Sequence, residues 1–321
     1  MSSLLEIRDL CVRFDIGDAE LAAVRDISFK MDEGECLGVV GESGAGKSQA
    51  FLAILGLLAG NAQATGSVQY CGREILNAPR RELDTLRGRR IAMVFQDALS
   101  GLTPTLRIGR QLEEAARRHL GMDARQARAK ALEMLETVRM PDPERCLRAY
   151  PFELSGGMRQ RVMIALAMVC RPDVLIADEP TTALDVTIQA QVLGLLAELR
   201  RSANTSIVLI THDLAVAAGL CDRIMILYNG RLVESGTTRQ VFRTPKHPYT
   251  LGLLASLPSL ATDPASDLPA IAGQPPDALA MPPGCAFAER CPQVMDRCLR
   301  ERPVLGTTQG RHAAACHLIA T

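Results

Sequence analysis

Eight residues near the start of the chain have the composition of a loop that wraps around phosphate. Gly41-Glu42-Ser43-Gly44-Ala45-Gly46-Lys47-Ser48 fits the pattern G-x-x-x-x-G-K-S. Glycines let successive backbone N–H groups point at one anion, and a helix that follows adds the positive end of its dipole. In this phosphate loop, Lys47 is expected to reach the β- and γ-phosphates of ATP, and the Ser48 hydroxyl to bind Mg²⁺.

Two adjacent acids follow an apolar run in the second half of the chain. Val174–Ala177 leads into Asp178 and Glu179. At the end of a buried strand, Asp178 can hold Mg²⁺ through water, while Glu179 can orient and polarise an attacking water as general base. The alternative, a pair of exposed loop acids, is disfavoured because the run before them is apolar. ATP hydrolysis is therefore the predicted chemistry.

A second anion site is predicted where Leu154 is followed by Ser155, Gly156 and Gly157. The two glycines expose backbone N–H groups at the start of a helix that runs to Cys170. The phosphate loop does not need this second site for its own pocket. The simplest use is a head-to-tail dimer, in which each Ser-Gly-Gly segment closes on the ATP of its partner.

The elements that must position these residues alternate between strands and helices, which predicts a mostly parallel sheet covered on both faces. A helical insertion is predicted from Arg107 to about Met168, because apolar residues recur there at helical spacing. Asn229-Gly230 predicts a hairpin turn. The predicted strands are Leu4–Phe14, Ala23–Met31, Cys36–Val40, Ile91–Phe95, Asp173–Asp178, Ser206–Thr211, Arg223–Tyr228 and Arg231–Glu234, and the predicted helices are Ser48–Leu58, Thr187–Arg201 and Leu214–Leu220.

Composition changes near Pro245, and proline is frequent from there to Pro303. This predicts a C-terminal extension of irregular structure that does not continue the core sheet. His312 and His317 are candidate substitute ligands but are expected to be ordinary surface residues. The extension holds four of the ten cysteines, namely Cys285, Cys291, Cys298 and Cys316.

Four thiolates suit tetrahedral Zn²⁺ or an iron–sulfur cluster. The N-terminus does not look like an export signal, so we expect a reducing compartment, where metal binding is favoured over disulfides. The wide spacing of the four cysteines and the proline after Cys291 favour a [4Fe–4S] cluster over Zn²⁺. The third alternative is that the cysteines are free. The other six cysteines are expected to be small buried thiols: Cys11, Cys36, Cys71, Cys146, Cys170 and Cys221.

The overall composition argues against several classes of protein. The 321 residues are 47% hydrophobic and 22% charged, as in ordinary globular proteins. Lys+Arg and Asp+Glu both number 36, so no bulk attraction to nucleic acid is expected. The longest strongly apolar run, near Val162–Cys170, is shorter than the roughly 20 residues of a membrane span.

Taken together, these motifs resemble those of ABC transporter nucleotide-binding subunits, over about residues 4–240. The resemblance implies that Gln96 is the Q-loop glutamine, which contacts Mg²⁺ and the attacking water, and that His212 is the switch histidine of the γ-phosphate. Ala183-Leu184-Asp185 resembles the D-loop of the dimer interface. Phe14 lies where the family places an aromatic ring on adenine, and the alternative is a core phenylalanine. For His212 the alternative is a capping histidine before Asp213.

Longer stretches resemble the peptide/nickel importer branch, in particular the D-type ATPase of an oligopeptide or dipeptide permease. They are Tyr150–Ala165, Leu175–Thr187 and His247–Thr250. The segment Ala98–Pro104 departs from the family pattern, which is consistent with a different membrane partner. The resemblance also points to an iron–sulfur motif in the tail.

The resemblance implies an α/β fold of the ABC P-loop type, with a mostly parallel core sheet, an antiparallel β subdomain and a helical subdomain at about 102–168. The implied domains are 1–244, the ATPase, and 245–321, the cysteine-rich extension. The implied activity is ATP hydrolysis that drives peptide import. The implied partners are a second, homologous ATPase, two membrane permeases and an extracytoplasmic solute-binding protein, with the chain at the cytoplasmic face of the cell membrane.

Three other functions remain open at this stage. The first is import of nickel or another small solute by the same machinery. The second is a soluble ABC ATPase of DNA repair or translation, which is disfavoured because the chain has one ATPase unit, no heptad run and zero net charge. The third is a scaffold that binds ATP without turnover, which Glu179 argues against.

Overall fold

The computed structural model describes residues 3–97, 101–182, 184–257, 269–309 and 312–319. Up to residue 137 the elements are β1 (Leu5–Ile16), β2 (Ala19–Met31), β3 (Cys36–Val40), α1 (Lys47–Ile54), β4 (Ala62–Tyr70), β5 (Arg73–Glu74), α2 (Arg80–Leu86), β6 (Ile91–Val94), α3 (Ile108–Leu120) and α4 (Ala124–Thr137). They continue with α5 (Pro143–Arg148), α6 (Gly156–Met168), β7 (Val174–Asp178), α7 (Val186–Ala203), β8 (Ser206–Thr211), α8 (Leu214–Leu220), β9 (Arg223–Tyr228), β10 (Arg231–Thr237), α9 (Thr238–Arg243), α10 (Pro248–Ala255), α11 (Asp296–Arg300), β11 (Gly306–Gln309) and β12 (His312–Ala314).

The chain divides into two compact units. The terminal unit consists of Met1–Ala78 and Thr211–Thr321, and the central unit of Pro79–Ile210. Within the terminal unit, β2, β1, β4 and β5 form an antiparallel sheet in that order. A second sheet runs in the order β11, β12, β10, β9 and β3, in which β3 and β9 are parallel. The predicted domain boundary between residues 244 and 245 stays a prediction.

The central unit combines parallel strands with a cluster of helices. Strands β6, β7 and β8 pair in parallel register. All five residues of β7 are buried, as expected for a parallel strand covered on both faces. In the helical part, α3 buries Ile108, Leu112 and Ala116, which lie on one face of the helix.

The strands predicted in the core are confirmed, with ends shifted by a few residues. Cys36–Val40 and Ser206–Thr211 have the predicted bounds, and the hairpin across Asn229-Gly230 is β9–β10. The first predicted helix ends early, at Ile54, where Leu55 caps it. Strands β4 and β5 were not predicted, because their polar and glycine residues obscure the alternation of a half-buried strand.

The prediction that the C-terminal extension does not continue the core sheet is wrong. Strand β12 pairs with β10, with Ala314 opposite Glu234, and the N–H of Ala315 donates to Val233 O at 2.8 Å. Strand β11 then pairs with β12. The extension therefore covers what would be an open strand edge and gives its own segment a fixed register.

The expectation for the six scattered cysteines holds only in part. Cys36, Cys146 and Cys221 are buried, but Cys71 is exposed in a turn, and Cys11 and Cys170 are half-buried. The neighbours of Cys71 are apolar or glycine in sequence, yet it has a positive φ of 49° in the turn between β4 and β5. Turn geometry thus overrides the local apolar pattern.

One buried contact between a histidine and a carboxylate attaches β12 to the rest of the terminal unit. Glu234 is fully buried and accepts from the N–H groups of Lys246 and His247, both at 2.9 Å. Its Oε1 also lies 2.8 Å from Nε2 of His312, which is only 2% exposed. The expectation that His312 lies at the surface is therefore wrong, because the residue holds the extension to this carboxylate.

We predict that His312→Ala destabilises the protein by about 2–3 kcal/mol, because it leaves a buried carboxylate short of one partner. The measurement is urea unfolding followed by circular dichroism. His317→Ala is the matched control, since His317 is half-buried and its Nε2 lies 2.9 Å from the backbone carbonyl of Glu301, with no buried carboxylate in that contact. The control should lose less than about 1 kcal/mol; equal losses would contradict the role given to Glu234.

Candidate functional site

The phosphate loop follows β3 directly and leads into α1. Gly46 caps the helix in the left-handed region, with φ of 84°, and Gly44 has φ of 80°. A β-carbon on Gly46 would overlap Ala23 O, and one on Gly41 would overlap Leu227 O. Gly41 must therefore be glycine because a side chain would overlap a carbonyl oxygen. Gly46 must be glycine for the same reason and also because its φ is positive.

Lys47 folds back over this loop. It is only 5% exposed, and its ammonium group donates to Gly41 O at 2.7 Å and to Glu42 O at 2.9 Å. Ser43 and Gly44 are exposed at the tip of the loop, whereas Ala45 is buried at its base. The loop thus exposes backbone at its tip, where N–H groups can meet an anion, and its own carbonyls hold the Lys47 ammonium group beside it.

In the central unit, the two predicted acids differ in environment. Asp178 ends β7 and is 5% exposed, whereas Glu179 is half-buried with a positive φ of 44°. The Glu179 Oε2 accepts from Gln96 Nε2 at 3.0 Å and from Thr182 Oγ1 at 2.9 Å. A left-handed backbone at a residue other than glycine is strained and is typical of functional positions.

The contact between Gln96 and Glu179 was not predicted, although both residues were singled out. Gln96 lies two residues beyond the end of β6, which pairs with β7. Because adjacent parallel strands end at the same edge of a sheet, residues just beyond them come together. This rule could have predicted the contact between Gln96 and Glu179.

The Ser-Gly-Gly segment opens α6 as predicted. Ser155 is the N-cap, and its Oγ accepts from the Met158 N–H at 3.4 Å. Ser155 and Gly156 are exposed, and a β-carbon on Gly157 would press on Ile188 of α7. The first N–H groups of a 13-residue helix are therefore accessible to an anion.

The remaining ATPase candidates lie at element ends. His212 is exposed just after β8, and Asp213 rather than His212 caps α8, accepting from Ala215 and Val216. Asp185 caps α7 and accepts from the Ile188 N–H at 2.9 Å. Phe14 is half-buried on β1, so it is not a core phenylalanine. Ala98–Ser100 and Ala183 lie outside the described residues.

The four tail cysteines surround one small cavity in the terminal unit. The cavity measures about 10 Å³ and is lined by Cys285, Cys291, Cys298, Cys316 and neighbouring residues. Burial raises the pKa of the Cys285 thiol to about 11. Among the residues that the structure describes, no group of three or more His, Cys, Asp or Glu side chains is arranged to hold a metal ion. The donor set matches a thiolate site, but the thiols as placed do not form one.

The candidate residues are distributed over both units. The terminal unit holds the phosphate loop, Phe14, His212 and the four tail cysteines, and the central unit holds Gln96, Asp178, Glu179, Ser155–Gly157 and Asp185. Within the central unit the structure brings Gln96 and Glu179 together; within the terminal unit it gathers the four cysteines.

Comparison with solved structures places the fold among ABC ATPases. The ATP-binding cassette MJ0796, solved as a dimer in a post-hydrolysis state bound to ADP and Pi, matches with a TM-score of 0.66 and 28% identity. The match covers 73% of this chain and 99% of that one.

Among the helices that the structure describes, none has the length and apolar character needed for a membrane span.

Sequence comparison shows which kind of ABC ATPase the chain resembles. The family model described as ABC transporter matches residues 24–182, and the one described as oligopeptide/dipeptide transporter, C-terminal region, matches residues 233–298. The oligopeptide transport ATP-binding protein OppD of Salmonella typhimurium is 50% identical over 96% of this chain and 92% of its own length. The dipeptide transport ATP-binding protein DppD of Bacillus subtilis is 45% identical, over 99% and 95%. The chain belongs to the family of ABC transporter ATP-binding subunits of the oligopeptide/dipeptide type, which confirms the predicted family and fold.

We predict that Gly46→Ala destabilises the protein much more than Gly44→Ala. Both positions have a positive φ, which costs about 1–2 kcal/mol for alanine. The β-carbon at Gly46 would overlap a carbonyl oxygen, whereas no atom of the described residues lies within 4 Å of one at Gly44. The loss at Gly46 should exceed that at Gly44 by about 2 kcal/mol or more in urea unfolding. Similar losses would show that Ala23 does not confine the loop.

Proposed function

We propose that the chain is the ATP-hydrolysing subunit of an importer for peptides and works at the cytoplasmic face of the cell membrane. The observation that carries this proposal is the similarity to oligopeptide and dipeptide transport ATP-binding proteins, which extends through both the ATPase part and the C-terminal region. The phosphate loop, the Gln96–Glu179 contact and the exposed start of α6 support ATP hydrolysis. A transport assay with the cognate permeases and a set of labelled peptides, with nickel as the rival solute, tests the cargo.

Each proposed role follows from the chemistry of the residue. The N–H groups of Gly41 and Ser43–Gly46, with the Lys47 ammonium, bind the ATP phosphates, and Phe14 stacks on adenine. Ser48, Gln96 and Asp178 offer the oxygen ligands that Mg²⁺ prefers, and the buried carboxylate of Asp178 fits that ion. When bound, Mg²⁺ neutralises charge on the β- and γ-phosphates.

Hydrolysis is an in-line attack of water on the γ-phosphorus, which breaks the bond to the ADP oxygen and gives ADP and phosphate. Glu179 orients the water and accepts its proton, and His212 contacts the γ-phosphate. The segment of the partner subunit that corresponds to Ser155–Gly157 closes on the nucleotide of this chain through backbone N–H groups, and Ser155–Gly157 of this chain close on the nucleotide of the partner. Asp185 belongs to the same dimer interface. Catalysis is thus mainly positioning and charge stabilisation.

The partners follow from this composite arrangement. We propose that a second, homologous ATPase supplies the facing half-sites. Two membrane permeases receive the movement through the helices between residues 102 and 168, and an extracytoplasmic binding protein delivers the peptide. Co-purification of this chain with two membrane proteins and a second ATPase tests the assembly. Recovery of a soluble complex with nucleic acid would overturn it.

We predict that Glu179→Gln lowers the ATPase rate by at least about 100-fold, because the amide cannot accept a proton from water. ATP binding should persist, so the variant should accumulate as an ATP-bound dimer with the second ATPase in size-exclusion chromatography. The matched control is Glu198→Gln, since Glu198 is an exposed residue that pairs with Arg139 on the surface. Unchanged hydrolysis in Glu179→Gln would remove Glu179 from the proposed role.

We further propose that Cys285, Cys291, Cys298 and Cys316 hold a [4Fe–4S] cluster that is structural. The support is that these four thiols line one cavity and that their wide spacing departs from zinc knuckles. Binding would release the thiol protons and draw the four side chains together. A segment with little helix or strand of its own would gain a fixed conformation from such a group.

The test of this cluster is anaerobic purification, followed by visible absorption spectra and assays of iron, acid-labile sulfide and zinc. We predict about four irons per chain and loss of the absorption in Cys298→Ser. Cys71→Ser is the control, since Cys71 is exposed and lies outside the cavity. One zinc per chain would replace the cluster by a zinc site, and absence of both metals would mean that the cysteines are free.

A further inference from the structure

The phosphate loop is tied to the cysteine segment, which we define as residues 285–298. The guanidinium group of Arg290 makes a two-pronged contact with the carboxylate of Glu42, the second residue of the loop. Its two terminal nitrogens lie 3.0 Å and 3.1 Å from the two Glu42 oxygens. The Arg290 side chain is 6% exposed and that of Glu42 is 28% exposed, so this is a part-buried charge pair with the geometry that arginine and carboxylate favour.

Groups inside and outside the cysteine segment hold Arg290 itself in place. Its Nε donates to Ala272 O at 3.0 Å, and one terminal nitrogen donates to the Tyr228 hydroxyl at 3.2 Å. The guanidinium carbon lies 5.7 Å and 5.9 Å from the ring centres of Tyr228 and Phe287. Backbone hydrogen bonds from Ala288 to Cys285 and from Cys291 to Ala288 close the short turn that carries it. Arg290 is therefore a fixed group rather than a mobile surface arginine.

A second contact reaches the same loop residue. The Glu42 N–H donates to the Tyr249 hydroxyl at 3.1 Å, and Tyr249 packs against Tyr228 and Phe287 in one aromatic cluster. On the other side, the Glu42 carbonyl accepts from the Lys47 ammonium at 2.9 Å. The Glu42 peptide thus connects the aromatic cluster, the arginine and the phosphate-binding lysine.

We infer that Arg290 is a positioning residue for the phosphate loop: through Glu42 it sets the loop backbone and the Lys47 ammonium for nucleotide. This inference rests on the proposed binding of ATP by Gly41–Ser48. It makes the cysteine segment a determinant of nucleotide affinity, in addition to being a structural appendage. Lysine cannot replace this arginine fully, because an ammonium group reaches the carboxylate as a point charge without the planar fork.

The first experiment measures the Kd of the full-length chain for a fluorescent ATP analogue with Mg²⁺. Arg290→Ala should raise Kd roughly tenfold, the size expected for losing charge-assisted hydrogen bonds to the loop. Arg290→Lys should fall between this variant and the wild type, and Tyr249→Phe should raise Kd severalfold. Arg297→Ala is the matched control, because Arg297 lies in the same segment and pairs with nearby Glu301 at the surface, both side chains being exposed; it should bind like the wild type.

A double-mutant cycle separates positioning through Glu42 from a general loss of structure. If Arg290 acts through Glu42, Arg290→Ala in the Glu42→Gln background should add little to the effect of Glu42→Gln alone. In steady-state ATPase assays with the assembled importer, Arg290→Ala should raise KM for ATP and leave kcat within about twofold. Additive effects on Kd, or a loss confined to kcat, would overturn the inference.

Three further outcomes separate a failure of this inference from a failure of the proposed ATP site. If Arg290→Ala fails to fold, Arg290→Lys and Tyr249→Phe carry the test, and wild-type Kd values in both would overturn the inference. If the wild type binds no analogue, or Lys47→Ala binds as well as the wild type, the proposed ATP site fails and the inference falls with it. If the wild type binds and Arg290→Ala binds equally well, the ATP site stands and only the inference is overturned.

Discussion

The arrangement of the terminal unit depends on how tightly the phosphate loop is confined by backbone carbonyl oxygens. Gly41 lies against Leu227 O in β9, and Gly46 against Ala23 O in β2. The N–H of Gly230 donates to Ala45 O at 3.1 Å, and Gly230 O accepts from Arg25 in β2. One loop thus fixes the antiparallel sheet and the second sheet of this unit to each other. Its glycines are demanded by packing as well as by the anion that they are proposed to bind.

Features that depend on near neighbours in the chain were predictable from the sequence. Cys36–Val40, the glycines after it and the helix that begins at Lys47 are local patterns, and each appeared where expected. The same holds for the acids after Val174 and for the glycines after Ser155, because a strand end or a helix start is encoded within a few residues.

Features that join distant parts of the chain were not predictable. The pairing of β12 with β10 and the burial of His312 on Glu234 depend on residues 78 positions apart. Nothing in the polar, proline-rich sequence of the extension marks a strand. The Gln96–Glu179 and Arg290–Glu42 contacts are also between residues far apart in the chain. The sequence around each residue does not indicate its partner, because the two residues come together only in the folded chain.

The contact between Arg290 and Glu42 also bears on how the protein is made. The two residues are 248 positions apart, so Glu42 leaves the ribosome roughly 10–50 s before Arg290 at ordinary rates of synthesis. During that interval the loop lacks the arginine, and for most of it the loop also lacks the Tyr249 hydroxyl. A nascent or truncated chain that ends before Arg290 therefore carries the whole phosphate-loop sequence without the guanidinium group that contacts Glu42. A fragment that contains every ATPase motif but stops short of the cysteine segment is thus not equivalent to the full chain in how its phosphate loop is held.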